Sequence, residues 1–113
     1  MTAITCWLNR HGTRLLIIVR SLRLPCKVVF HGDDLVVPEL QGRVTIYDRN
    51  YQVIAQLGDN PDQTQWAAYD LKPELWHDGI FIAPHGAAWD SQGNLYVEDW
   101  NRVGRVSKLE RIR

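Results

Sequence analysis

The sequence predicts an all-β chain assembled from repeated antiparallel units. Three observations carry that prediction. Like residues return in the same order in two stretches: Pro25-Cys26, Phe30, Gly32-Asp33-Asp34, Leu35, Val37, Glu39 and Gly42-Arg43-Val44-Thr45, then Pro84-His85, Trp89, Gly93, Leu95, Val97, Asp99 and Gly104-Arg105-Val106-Ser107. Short runs between them alternate apolar and polar residues and favour β-branched and aromatic side chains. Clusters of Asp, Asn, Ser and Gly close those runs as turns. A repeat of this extent means repeated supersecondary units.

The spacing refines the prediction. Ile4-Thr5-Cys6-Trp7 precedes its counterpart Val44-Thr45-Ile46-Tyr47 by about 40 residues, the usual length of a four-stranded propeller blade. Pro25 and Pro84 lie about 60 apart, so an insertion of about 20 residues separates the last two copies. The expected fold is therefore a partial β-propeller of about two four-stranded antiparallel blades, with one inserted loop or short helix.

Taken in order, residues 1–22 read as the outer two strands of a partial blade, with Asn9-Arg10-His11-Gly12 as their turn. Residues 23–57 read as a complete blade: strand a over Cys26–Phe30, b over Asp34–Pro38, c over Arg43–Tyr47 and d over Gln52–Leu57. Asp48-Arg49-Asn50 turns c into d. Residues 58–82 are the insertion. Asp62-x-x-Gln65 has the form of a capping box before Trp66-Ala67-Ala68-Tyr69, which predicts a short helix that Pro73 ends. Residues 83–113 give a last blade with a over His85–Trp89, b over Asn94–Glu98 and c over Gly104–Leu109, without a clear fourth strand.

Composition narrows the function classes. The 113 residues are one ordinary domain by size, shorter than a closed propeller of about four blades or more. Repeat units bury apolar faces against neighbours, so the remaining blades or further copies of the chain are expected partners. Net charge is zero, and no nucleic-acid partner is expected. Every charged residue before Asp33 is basic (Arg10, Arg14, Arg20, Arg23, Lys27), which reads as a solvated basic stretch. The apolar run Leu15–Val19 is shorter than the about 7–15 residues of a signal peptide or the about 20 of a membrane span, and reads as a buried strand. Two cysteines, Cys6 and Cys26, make neither a disulfide framework nor a zinc-finger pattern. No Ser-His-Asp order, phosphate-cradling glycine loop or His-Glu-x-x-His motif is present.

From Pro84-His85 through Asp90-Ser91-Gln92-Gly93-Asn94-Leu95-Tyr96-Val97-Glu98-Asp99 to Arg105-Val106, the chain resembles the NHL repeat. The likeness weakens but persists over Leu24–Leu57. It implies a β-propeller, commonly six-bladed. Within that superfamily the Pro-His start is similar to peptidyl-hydroxyglycine amidating lyases, in which such histidines, drawn from three blades, hold zinc. The resemblance puts His85 on a ligand position and Cys26 on its counterpart, where a thiolate could also serve zinc. Cys26 departs from the lyase pattern, and one blade of that pattern is missing.

In a propeller the innermost strand lines the channel, and the d-to-a and b-to-c loops share one face. That face would gather His85, Cys26, Glu39, Asp99, Trp100, Arg102 and the insertion's Trp76, His77 and Asp78. His11 and His31 would fall on the opposite one. Each residue also has a structural reading. Cys26 suits a small buried hydrophobe. The repetition of Glu39 and Asp99 suits turn bonding, and the tryptophans suit half-buried packing. The expected function is a ligand- or partner-binding scaffold acting through the channel face on a peptide or small molecule, with no catalytic residue assigned. The alternative is part of a lyase-like zinc enzyme. A third reading is a protein-binding module on the same face.

Overall fold

The computed structural model describes residues 22–112. The expected partial blade, with Cys6, His11 and the Leu15–Val19 run, lies outside the described residues except for Leu22. Two antiparallel sheets follow. The first orders β1 (Val29–His31), β2 (Asp34–Glu39), β3 (Arg43–Tyr47) and β4 (Val53–Leu57) side by side, and the second orders β5 (Pro84–Trp89), β6 (Leu95–Asp99) and β7 (Arg105–Leu109).

Burial explains why the two sheets differ in pattern. Strands β2 and β3 are buried on both faces, and β2 reads as a nearly continuous apolar run over Leu35–Pro38. On one face Leu35, Val37 and Tyr47 cluster with Leu22 and Val28. On the other, Val36, Val44 and Ile46 meet Leu95 and Val97 of the second sheet, with Phe81 between them. Burying each such side chain contributes about 1.5–3 kcal/mol. β6 has one buried face only, so it alternates: Leu95, Val97 and Asp99 are buried while Glu98 is exposed. A second inter-sheet contact is the stack of His31 on Trp89, with ring centroids 4.3 Å apart.

Asx turns set two of the strand connections. Asp48 Oδ1 accepts from Asn50 N and Gln52 N between β3 and β4, and Asp90 Oδ1 accepts from Gln92 N and Asn94 N between β5 and β6. The β1–β2 turn is tighter, with only Gly32-Asp33 between the paired His31 and Asp34. Bonds from Asn94 hold the Asp90 carboxyl below the ordinary aspartate value, aided by Gln92 N and the Tyr96 hydroxyl. A depressed folded value means this contribution is fully present above the unfolded value of about 3.9 and is lost as pH falls through the folded one. The melting-temperature advantage of wild type over Asp90→Asn is therefore expected to narrow below about pH 3.9. An offset constant from neutral pH to pH 2.5 would contradict this assignment.

The connection 58–83 holds two 3-10 turns, Gln63–Gln65 and Pro73–Leu75, in place of an α-helix. Asp62 does cap the first, accepting from Thr64 N. Gln65 does not complete a capping box; its Oε1 accepts from Asn60 Nδ2, and Asn60 Oδ1 accepts from Asp62 N. The turn stops because Trp66 swings into an extended conformation. Its indole donates to the Asn60 carbonyl, and its ring stacks under Arg23 at 4.0 Å. Ala67 then takes a φ of 57° and bonds the Ile82 carbonyl. Pro73 begins the second turn at a position where no N–H is needed.

Candidate functional site

The two repeats share a buried carboxylate clamp. Glu39 ends β2 with no exposed surface. It accepts from Arg23 N at 3.0 Å, from Arg43 Nε and Nη2 at 2.6 and 2.7 Å, and from the Thr45 hydroxyl at 3.0 Å. Asp99 ends β6 and does the same work. Its Oδ1 accepts from Ile82 N and Ala83 N at 2.9 and 2.8 Å, and its Oδ2 from Arg105 Nε and Nη2 at 3.2 and 2.8 Å. Each acid thus ties the segment entering its sheet to the arginine that opens the next strand. Glu39 raises the Arg43 guanidinium above its ordinary value, chiefly through this hydrogen bonding. Both carboxylates are saturated, so among the expected face residues they are framework rather than ligand contacts.

A second shared feature sets Cys26 and His85. In the first sheet Pro25 bridges Glu39 and Val29 pairs with Val36, four residue steps against three. In the second, Pro84 pairs with Asp99 and Gly86 with Glu98, two steps against one. Each copy therefore carries one extra residue downstream of its proline; in the second sheet it is a bulge immediately after Pro84, which turns a side chain out of the ladder, and in the first it falls within residues 26–28. His85 is that residue in the second sheet and is exposed. Cys26 is exposed as well, a correction to its expected burial, and its thiol sits 3.6 Å from the Leu24 carbonyl. Partial desolvation pushes that thiol up, with the Leu40 backbone pulling it down more weakly.

The bulge delivers the His85 ring to an aromatic cluster. His85 lies 5.7 Å from Trp100, and Trp100 lies 5.6 Å from Tyr69, all in tilted contact. Trp100 is 52% exposed and Tyr69 45%, large fractions for rings that could have been buried. Arg102 sits 5.8 Å from the Tyr69 ring centroid and pairs with Asp70 at 2.6 Å. Backbone bonds fix the arrangement: Trp100 N donates to the Ala83 carbonyl and Arg102 N to the Tyr69 carbonyl. Asn101 closes the loop by accepting from Gly104 N at 2.8 Å.

The other expected residues are placed differently. Trp76 packs half-buried beneath Arg105, 5.3 Å from the guanidinium, and its indole donates to the Leu71 carbonyl. His77 contributes its backbone carbonyl to Arg105 Nη1 at 3.0 Å, leaving its side chain and that of Asp78 at the surface. Thus His85, Trp100 and Arg102 come together, while Trp76 and the His77 carbonyl brace Arg105 of the clamp and Asp78 stays at the surface. Tyr69 and Asp70 are the members that sequence reasoning missed, and no local signal marks them. His31, stacked on Trp89, is at the opposite strand ends.

Exposed rings with a neighbouring guanidinium can stack on planar or ring-bearing groups, while the Trp100 indole N–H can donate and the Tyr69 hydroxyl and His85 ring nitrogens can donate or accept hydrogen bonds. The zinc implied by resemblance fits these residues poorly. Among the described residues, no three or more His, Cys, Asp or Glu side chains are grouped to hold a metal ion. Comparison with family models, curated proteins and solved structures returns no match.

Proposed function

We propose that the chain is a portion of an NHL-type β-propeller that serves as a binding scaffold, and that His85, Trp100, Tyr69 and Arg102 form its ligand-contacting surface. The propeller part of this reading is supported by what the two sheets repeat: an extra residue downstream of a proline, the acid–arginine clamp and face-to-face apolar packing. The binding part is carried by one observation, the exposed His85–Trp100–Tyr69 cluster built on a saturated framework. A rigid frame beneath exposed rings suits recognition, because little ordering entropy is lost when a partner stacks on them. The ligand class is a peptide carrying aromatic or proline rings, or a small ring-bearing molecule. No observation favours the lyase-like alternative over this one.

Peptides selected from a random library on the immobilised chain provide the test. Trp100→Ala is expected to weaken their binding by about tenfold or more, with Tyr69→Ala following, because buried aromatic anchors dominate such interfaces. Arg49→Ala, on the exposed β3–β4 turn, should leave affinity unchanged. Equal binding by wild type and both aromatic variants would refute the assignment of this surface.

A further inference from the structure

The aromatic cluster offers many hydrogen-bond donors and few acceptors. The Trp100 indole and the Arg102 guanidinium can only donate. Among the described residues the indole N–H and both Arg102 Nη groups have no partner, because Asp70 takes only Nε, at 2.6 Å. The Tyr69 hydroxyl and the His85 ring nitrogens are likewise unengaged there. The one carboxylate of the cluster is Asp70, and its Oδ1 is already spent on Arg102. The loop amides are spent too: Trp100 N donates to the Ala83 carbonyl, Arg102 N to the Tyr69 carbonyl and Gly104 N to Asn101 Oδ1. A ligand on these rings therefore meets exposed side chains that need acceptors.

Few peptide backbones suit such a surface. An ordinary extended segment brings an N–H with every carbonyl. Each N–H turned toward the rings loses water without gaining an acceptor, at a cost of about 1–3 kcal/mol. Strand addition, which would pair those groups, has no free amide at positions 100, 102 or 104 to build on. Proline keeps the carbonyl and has no N–H. A run of prolines presents acceptors alone, in a polyproline II helix that has no internal hydrogen bonds and is formed before it binds. Resting on the assignment of these residues as the ligand-contacting surface, we infer that the ligand is a proline-rich segment of a partner protein in the polyproline II conformation. Its pyrrolidine rings stack on Trp100 and Tyr69, and its carbonyls accept from the indole N–H, the Tyr69 hydroxyl and Arg102 Nη. Aromatic surfaces are the usual receptors for this helix, because it gives up little entropy on docking. At a rise of about 3.1 Å per residue, about four residues reach along the three rings, whose centroids stand 5.7 and 5.6 Å apart in succession. Asp70 balances the charge of Arg102, so the segment requires no charge of its own.

The probe is a fluorescein-labelled peptide of about eight prolines, titrated with the full chain and followed by anisotropy. Saturable binding is expected. The same peptide with alanine in place of proline should bind about tenfold more weakly or less, since it returns the N–H groups and loses the preformed helix. Trp100→Ala should weaken binding of the proline peptide about tenfold or more by removing the central ring. Tyr69→Phe keeps its ring and loses one donor, and should weaken it about two- to tenfold. Thermal melts verify that each variant is folded. A proline peptide that fails to bind, binds no tighter than its alanine counterpart, or is indifferent to both variants overturns the inference. If library-selected peptides still require Trp100 in that event, the surface stands and only its ligand class falls. If they do not, both fall together.

Discussion

Replacing Asp99 with alanine is expected to lower the unfolding free energy by about 3–5 kcal/mol, the range found when one partner of a buried ion pair is removed. Asp99 is fully buried and the Arg105 side chain is 15% exposed, so water cannot replace the lost carboxylate freely. Two costs combine. The Ile82 and Ala83 amides lose their shared acceptor, and an unpaired buried donor costs about 1–3 kcal/mol. Arg105 keeps the Ile80 and His77 carbonyls but loses its counter-charge. Asp99→Asn should fall between alanine and wild type, since its oxygen still serves the amides while its NH2 opposes the guanidinium. Adding Arg105→Leu to Asp99→Ala should cost less than the sum of the single changes, because the stranded charge goes too. Urea unfolding of wild type, Asp99→Ala, Asp99→Asn, Arg105→Leu and the double variant measures these differences. A loss below about 1 kcal/mol for Asp99→Ala would mean the clamp is not a structural keystone. The same change should loosen the aromatic cluster, since Ala83 also accepts from Trp100 N.

A structural role for Glu39 and Asp99 was legible in the sequence because the acid recurs, but as turn bonding, without the pairing to Arg43 and Arg105 that the fold shows. An acid followed by Gly-Arg and a β-branched residue appears twice, and repetition points to a structural demand. Strand positions were legible for a related reason: period-two alternation and Asx turns are local signals, and β3 spans Arg43–Tyr47 as the alternation predicts. What was not legible depends on contacts between distant residues. Tyr69 and Trp100 meet across a long stretch of chain, and nothing local marks the pairing. Cys26 is exposed in a stretch between the Pro25 bridge and β1 that pairs out of step with β2, and such a register is invisible without the partner strand. The helix expected after Asp62 forms only as the short 3-10 turn Gln63–Gln65, which stops where Trp66 turns extended to bond Asn60 and cover Arg23. The aromatic cluster was therefore half readable: His85, Trp100 and Arg102 from the repeat, Tyr69 and Asp70 only from the fold.

Gly58→Ala is expected to be the most damaging single-methyl change, at about 2–4 kcal/mol. Gly58 ends the first sheet with a φ of 59°, a left-handed conformation that costs an alanine about 1–2 kcal/mol. A Cβ there would also intrude on the Phe81 ring, reaching 3.0 Å from Cγ and closer to the ring edge. Phe81 has nowhere to go. It is fully buried between the sheets, its N–H donates to the Gly58 carbonyl, and its own carbonyl accepts from Asn60 Nδ2. Overpacking at such a site costs about 1–3 kcal/mol. Restricting the unfolded chain returns about 0.4–1 kcal/mol. Gly79→Ala separates the two causes. Gly79 has a φ of 76°, and an added Cβ there meets nothing within 4 Å, so it bears backbone strain alone. Gly58→Ala should therefore lower stability more than Gly79→Ala by about 1–3 kcal/mol, the contact contribution. In the Phe81→Leu background that excess should shrink, because a smaller side chain leaves room for the methyl. Equal losses at the two glycines would show that the Phe81 ring yields, and that the inter-sheet core is looser at this corner than its burial indicates.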